Sequence, residues 1–169
     1  DSVASRGLGD VYKRQGVAGL IKAYPEVKVF SPSKLNSISV NLISDGNTIR
    51  TNLNEFEVIH APGHTLDHII LCDQKNNLIF VGDVLFRLGC GRVFEGSLEQ
   101  MHSSLIKLLD LSDRMLVYCG HEYTLNNIKF LEHIFKKNKI LESAKKNIIS
   151  GFFFFYWGLK LCAKKSLDW

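Results

Sequence analysis

The sequence predicts a single α/β domain with a sheet layer and a helix layer, and three observations support that prediction. The length of 169 residues suits one domain. Short apolar runs dominate residues 27–81 and indicate strands. Apolar residues recur at helical spacing in 98–111 and 125–139, on either side of a strand-like run at 115–118. Strands that come first, followed by helices that alternate with a strand, are typical of a sheet covered by helices.

Proline and turn signals delimit the first elements. Residues 17–24 have helical spacing and stop before Pro25, which predicts a short helix. Residues 27–30 form a β-prone run that a Ser-Pro pair ends. An Asp-Gly-Asn turn precedes a predicted strand at 48–51.

The next three elements are predicted strands at 56–60, 68–72 and 78–81. A polar stretch at 73–77 separates the last two. Because this stretch is short and lies between two β-prone runs, the sequence predicts a hairpin there.

Two amphipathic helices are predicted in the second half. The first covers 98–111, and Ser97 with Gln100 forms a capping-box pattern at its start. The second covers 125–139. The strand at 115–118 between them completes the expected order of elements.

Bulk composition argues against two classes of partner. From residue 129 onward there are nine Lys or Arg against three Asp or Glu, whereas residues 16–128 carry nine basic and twelve acidic groups. The basic character is therefore local, and it lacks the base-reading groups that nucleic-acid binding requires. The longest apolar run, 152–157, is far short of the roughly 20 residues that span a bilayer. We expect no nucleic-acid partner and no membrane association.

The cysteines give a prediction about the compartment. They are Cys72, Cys90, Cys119 and Cys162, and no two of them form a C-x-x-C pair. Thiols without a disulfide framework, together with a start that has no charged-then-apolar leader, predict a cytoplasmic protein.

Both ends of the sequence look foreign to the domain. Residues 10–15 resemble the translation of a transposon end used in sequencing-library preparation, so we expect 1–15 to be a non-native leader. A disordered native leader is the alternative. We expect residues 16–140 to form the domain and 141–169 to be a tail that is helical or out of frame. Four consecutive phenylalanines at 152–155 support a frameshift, and a segment that docks on the core is the alternative.

Three short motifs each place a metal-ligand type just after a β-prone run. His64 follows Pro-Gly, Asp83 follows Val-Gly, and His121 follows Cys-Gly. Three such loops at one edge of a sheet would bring two imidazoles and a carboxylate together, and these groups hold hydrolytic zinc or iron. A carboxylate can bridge two cations, and Asp83 suits that role because apolar residues flank it. Each residue also has an ordinary interpretation: a loop histidine, or an aspartate paired with an arginine or with backbone N–H groups.

Longer motifs around these residues resemble glyoxalase II, the hydroxyacylglutathione hydrolase of the metallo-β-lactamase superfamily. They are His-Ala-Pro-Gly-His-Thr-Leu-Asp-His at 60–68, Val-Gly-Asp-Val-Leu-Phe-Arg-Leu-Gly-Cys-Gly-Arg-Val-Phe-Glu-Gly at 81–96, and Tyr-Cys-Gly-His-Glu-Tyr-Thr-Leu-Asn-Asn at 118–127. Pro-Gly-His-Thr and Gly-Asp mark only the superfamily. Gly-Cys-Gly-Arg-x-Phe-Glu-Gly with Cys-Gly-His-Glu-Tyr-Thr is more specific. The resemblance covers roughly residues 16–140.

The resemblance implies an αβ/βα sandwich with a two-metal site. His64 would bind the first metal, Asp83 would bridge, and His121 would bind the second metal. The metals would be zinc, with iron or manganese possible. Arg92 and Tyr123 match positions that contact the glutathione part of a small-molecule thioester. Phe94 stands where some members have a tyrosine, so a hydroxyl contact is missing there.

The sequence also departs from the family pattern. The motif His-x-His-x-Asp-His should precede residue 16 and is not in the sequence, and the first strands would be missing with it. We therefore expect a partial sandwich, a monomer, that binds metal weakly and turns over little S-D-lactoylglutathione. One alternative is a glutathione-persulfide dioxygenase with a single iron. That family would have Thr-Asp-Phe where this sequence has residues 93–95, and an aspartate at Glu122. The other alternative is a non-catalytic fragment.

Overall fold

The computed structural model describes residues 16–35, 38–135 and 138–149, and the elements below lie within these ranges. The helices are α1 (Gly16–Ala23), α2 (Leu98–Leu109), α3 (Thr124–Ile134) and α4 (Lys139–Ile149). The strands are β1 (Phe30–Ser31), β2 (Asn41–Leu42), β3 (Thr48–Arg50), β4 (Glu55–His60), β5 (Ile69–Asp73), β6 (Leu78–Gly82), β7 (Leu85–Phe86), β8 (Gly89–Cys90) and β9 (Leu116–Cys119). The α/β prediction is confirmed.

A five-stranded sheet with the order β3-β4-β5-β6-β9 organises the domain. Neighbours from β3 to β6 are antiparallel, and β9 adds to β6 in parallel. Strands β4, β6 and β9 therefore run in the same direction, and their carboxyl ends meet at one edge. The loops that carry His64, Asp83 and His121 all leave the sheet at that edge.

Helix α2 covers one face of the sheet. Its buried Met101 and Leu108 join a core cluster with strand residues that include Ile70, Ile79 and Val81. The helix starts at a capping box in which Ser97 accepts from the backbone of the residue three positions on, as the sequence predicted. This packing fixes the helix against the loop that follows β4.

Two smaller clusters complete the interior of the described residues. On the other face of the sheet, Ile43, Ile49 and Val58 pack together. Helices α3 and α4 close over the β7–β8 hairpin through Leu88, Ile128, Leu131 and Leu141. Within the described ranges, no helix has both the length and the apolar character needed to cross a bilayer.

Two predicted elements differ from the structure, and three short strands were not predicted. The strand predicted at 27–30 is ordered as a strand only at Phe30–Ser31, because its single partner, β2, pairs over two residues. The helix predicted at 125–139 ends at Ile134, where Phe135 leaves helical conformation (φ −109°, ψ 78°), and α4 then begins separately. The strands β2, β7 and β8 were not predicted, since each is only two residues long.

Candidate metal centre

The loop that carries His64 is held by α2. Gly63 has φ +146°, and a Cβ there would lie 2.8 Å from the Met101 Cα. The Ser104 hydroxyl donates to the Pro62 carbonyl at 2.7 Å. Glycine is therefore required at position 63, and α2 fixes the backbone that precedes His64.

The second loop places Asp83 in the interior. Asp83 is only 4% exposed. It follows Gly82, whose φ of +53° turns the chain away from the strand. A Cβ on Gly91 would overlap the Asp83 carbonyl oxygen, so the β8 side of the site closes tightly around this residue. This role of Gly91 was not predicted from the sequence, although the Gly-Cys-Gly spacing was a signal for it.

The third loop is tied directly to the second. The Gly120 N–H donates to the Gly82 carbonyl at 2.7 Å. A Cβ on Gly120 would overlap Oδ1 of Asp83. The missing side chain at Gly120 thus makes room for the carboxylate, and His121, the next residue, reaches the same point.

The structure brings the three predicted site residues together around one carboxylate. His64 Nε2 lies 3.3 Å from Asp83 Oδ2, and His121 Nε2 lies 3.6 Å from Asp83 Oδ1. Each imidazole therefore faces a different oxygen. The His64 side chain is 10% exposed and that of His121 is 41% exposed, so the centre opens to solvent on the His121 side.

A hydrogen bond fixes the tautomer of His64. Its Nδ1 lies 2.8 Å from the Arg92 carbonyl oxygen, and a carbonyl can only accept. Nδ1 therefore carries the proton, and in the neutral ring Nε2 presents a lone pair to the Asp83 carboxylate. Two lone pairs at 3.3 Å repel each other unless a proton or a metal cation lies between them.

The spacing of the donors, though not their number, fits two metal positions that share one carboxylate. Two ligands bound to the same zinc at about 2.0–2.1 Å in tetrahedral geometry lie about 3.4 Å apart. Both imidazole–carboxylate distances are close to that spacing. Among residues 16–35, 38–135 and 138–149, no group of three or more His, Cys, Asp or Glu side chains is arranged to hold one metal ion. The described residues thus offer each metal two donors, and zinc in proteins takes three or four.

The predicted substrate-binding residues line the two imidazoles. The Phe94 ring centroid lies 5.0 Å from that of His64, and the exposed Arg92 lies over Phe94, with Cζ 6.0 Å from the ring centroid. Tyr123 stacks on His121 at 5.1 Å with 20° between the ring planes. Arg92 and Phe94 therefore lie at the His64 side of the centre, and Tyr123 lies at the His121 side.

Two neighbouring residues have structural contacts instead of ligand positions. Cys119 is half-buried and donates to the His121 carbonyl at 3.3 Å. Burial raises the pKa of its thiol, and metal ligation needs the thiolate. Glu122 accepts from the Thr124 N–H at 2.9 Å at the start of α3, and hydrogen bonds from Thr124 lower the pKa of Glu122. This hydrogen bond was not predicted from the sequence.

Comparisons with known proteins place this geometry in a family. The model of the metallo-beta-lactamase superfamily matches residues 9–121. The chain belongs to the metallo-beta-lactamase superfamily. Within it, the chain is 39% identical over 134 residues to the hydroxyacylglutathione hydrolase of Serratia proteamaculans, which is 79% of this chain and 53% of that protein. It is 40% identical over 129 residues to the protein of the same name from Pectobacterium atrosepticum, with 76% and 51% covered.

Solved structures give the same fold. The crystal structure of TTHA1623 in a di-iron-bound form has a TM-score of 0.53 at 26% identity, covering 63% of this chain and 62% of that chain. The structure of ETHE1 from Myxococcus xanthus has a TM-score of 0.53 at 31% identity, covering 62% and 47%. The chain spans about half the length of the curated relatives that it matches. The recognition of glyoxalase II from the motifs is confirmed by the names of these relatives.

Proposed function

We propose that this domain belongs to a metal-dependent thioester hydrolase that cleaves S-(2-hydroxyacyl)glutathione, such as S-D-lactoylglutathione, to glutathione and a 2-hydroxy acid. The observation that carries the proposal is the Asp83 carboxylate between the Nε2 atoms of His64 and His121. The names of the curated relatives support the reaction. Because the chain spans about half of their length, the activity is proposed for a protein that contains this domain.

In this proposal, three residues of the chain hold the metals. His64 and Asp83 would bind one metal, and Asp83 and His121 the other. A bound divalent cation lowers the pKa of water and polarises a carbonyl group, which are the two things that thioester hydrolysis needs. The proposed metal is zinc, and iron is the alternative that the di-iron-bound relative supports.

The surrounding residues orient these ligands. The Arg92 carbonyl holds the proton of His64 on Nδ1, so that Nε2 faces the centre. The Gly120–Gly82 hydrogen bond keeps the loops of Asp83 and His121 in register. Asp83 is nearly closed off from water by its own chain, which strengthens its attraction for a cation.

Arg92 and Tyr123 are the proposed contacts for the glutathione part. Arg92 is exposed, and a guanidinium suits a carboxylate or a peptide carbonyl. Tyr123 is 43% exposed beside His121, where its hydroxyl can donate or accept. Phe94 offers only its ring, so it would contribute apolar contact next to His64.

The test is a hydrolysis assay with S-D-lactoylglutathione on the zinc-loaded protein that carries this domain. The expected result is loss of thioester with release of a thiol, abolished by Asp83→Asn. Oxygen consumption on glutathione persulfide with iron bound, and no thioester cleavage, would instead establish the dioxygenase. Residues 93–95 and Glu122 favour the hydrolase, since they differ from the residues expected in that family. If the protein shows neither activity, the result would support the non-catalytic alternative.

A further inference from the structure

The His68 imidazole contacts the backbone of Asp83, not its carboxylate. The Asp83 backbone N–H donates to His68 Nε2 at 3.2 Å. An N–H can only donate, so Nε2 of His68 is the unprotonated nitrogen and its lone pair is directed at the Asp83 amide. His68 lies four residues after His64, and the two rings meet edge to face with centroids 6.1 Å apart. The use of Nε2 by the backbone separates the role of His68 from that of the proposed ligands.

The backbone around Asp83 explains why such an acceptor is needed. The register between β6 and β9 shifts between Phe80 and Gly82, and Gly82 has φ +53°. The chain thus leaves the sheet ladder just before Asp83. A buried backbone N–H at such a point needs an acceptor from elsewhere, and His68 supplies it.

The position of His68 is rigid. The residue directly precedes β5, where Ile69 pairs with His60 of β4. Its own carbonyl accepts from the Ala61 N–H at 2.9 Å. A Cβ added to Gly82 would lie 2.8 Å from His68 Nε2, so the ring and the turn are in close contact. The ring therefore connects the fixed β4–β5 pair to the turn that presents Asp83.

We propose that His68 is a positioning residue: it fixes the Gly82–Asp83 peptide so that the carboxylate faces His64 and His121 simultaneously. This inference rests on the proposed metal function, but the contact itself can be measured without metal. A role in packing alone would require only the volume of the ring, whereas positioning requires an acceptor atom near Nε2.

Two variants separate these roles in the 169-residue chain. His68→Gln keeps an acceptor oxygen near the Nε2 position, and His68→Leu keeps similar volume without an acceptor. His102→Leu, on the exposed side of α2, is the matched control. Loss of a group that orients a metal ligand typically weakens metal affinity by about 10–100-fold. We expect that loss of zinc affinity for His68→Leu, a clearly smaller one for His68→Gln, and none for His102→Leu.

Amide hydrogen exchange at Asp83 in the metal-free protein is the second readout. The expected result is exchange that is at least about tenfold faster in His68→Leu than in His68→Gln, because only the glutamine can accept from the amide. Equal exchange in the two variants would overturn the proposal, as would equal loss of zinc affinity with equal loss of melting temperature. If the wild-type chain binds no zinc, the exchange comparison alone decides the role of His68. The proposed function is tested separately, by the hydrolysis assay on the protein that carries this domain.

Discussion

Two buried aspartates at opposite ends of the same sheet differ in what surrounds them. Asp73 ends β5 and is 0% exposed, and Asp83 follows β6 and is 4% exposed. Asp73 accepts from the side-chain amides of Asn54 at 2.8 Å and Asn76 at 2.7 Å, and from the Asn76 N–H at 3.0 Å. Asp83 instead faces two imidazole nitrogens. Equal burial therefore does not imply an equal role.

The donors around Asp73 make it a structural anion. Hydrogen bonds, first from Asn54 and then from Asn76, lower its pKa to about 2. Amide N–H groups stabilise a carboxylate without a cation, so this end of the sheet needs none. An open cavity of about 670 Å³ lies at this end and includes Asp73 in its lining. That cavity is therefore lined by a carboxylate whose charge is already satisfied by amide donors.

The largest expected effect is on zinc affinity, when each of the two carboxylates is replaced in turn by an amide. Asp83→Asn should weaken zinc affinity by more than about 100-fold, since a direct ligand matters more than the groups that orient it. Asp73→Asn is the matched control and should leave the affinity unchanged. Equilibrium dialysis against zinc measures both. Equal losses of zinc affinity in the two variants would show that the two ends of the sheet do not differ in metal binding.

The next effect is steric. Gly120→Ala would place a methyl group against Oδ1 of Asp83, so the carboxylate must move away from His121. We expect a loss of zinc affinity of about tenfold or more. Gly19→Ala is the control, because nothing lies within 4 Å of its added Cβ, and it lies within α1. That control should keep the affinity and stabilise the chain by about 0.4–1 kcal/mol. Unchanged affinity in Gly120→Ala would mean that the carboxylate need not occupy its observed position.

A smaller effect is expected at the substrate side of the centre. Arg92→Gln should raise KM for S-D-lactoylglutathione about tenfold and leave kcat nearly unchanged, because the contact would be lost in both states. A charged hydrogen bond contributes about 1.5–3 kcal/mol, and the lower figure applies to Arg92 because it is exposed. Steady-state kinetics on the zinc-loaded protein that carries this domain measures the two parameters. Arg114→Gln, an exposed site after α2, serves as control. A fall in kcat with unchanged KM would argue against a binding role for Arg92.

The smallest effect is the pH dependence of the Asp73 end. The folded-state pKa of about 2 is below the unfolded value of about 3.9, so ionised Asp73 stabilises the fold above about pH 4. That contribution is lost as the pH falls from about 4 toward 2. Denaturant unfolding of wild type and Asp73→Asn should show a stability difference at pH 6 that shrinks across this window. A difference that stays constant down to pH 2 would contradict the assigned cause.

The sequence predicted which loops carry the site residues better than it predicted the contacts that hold those loops in place. Periodicity located β3 to β6, β9 and α2, and the Gly-ligand pattern identified three loops that the structure brings to one edge. Local pattern could not reveal that β4, β6 and β9 run in the same direction, since that depends on pairing across the sheet. The roles of His64, Asp83 and His121 as metal ligands stay predictions.

What the sequence missed depends on contacts between distant residues. The β7–β8 hairpin is two residues a side and is held by packing on α3 and α4, which no short window contains. The break after Ile134 occurs in a run whose composition still favours a helix. The different surroundings of Asp73 and Asp83 come from Asn54 and His121, each far from its aspartate along the chain.

The most direct test of the central claim is nitrogen NMR of the histidine side chains during a zinc titration of the chain. If Asp83 joins two metal positions, the Nε2 signals of His64 and His121 should shift together, and Asp83→Asn should abolish both shifts. His102 and His133, which lie on exposed helix surfaces, should not respond. Zinc-induced shifts confined to His102 or His133 would contradict a shared cation centre. Shifts of His64 and His121 that persist in Asp83→Asn would also contradict it.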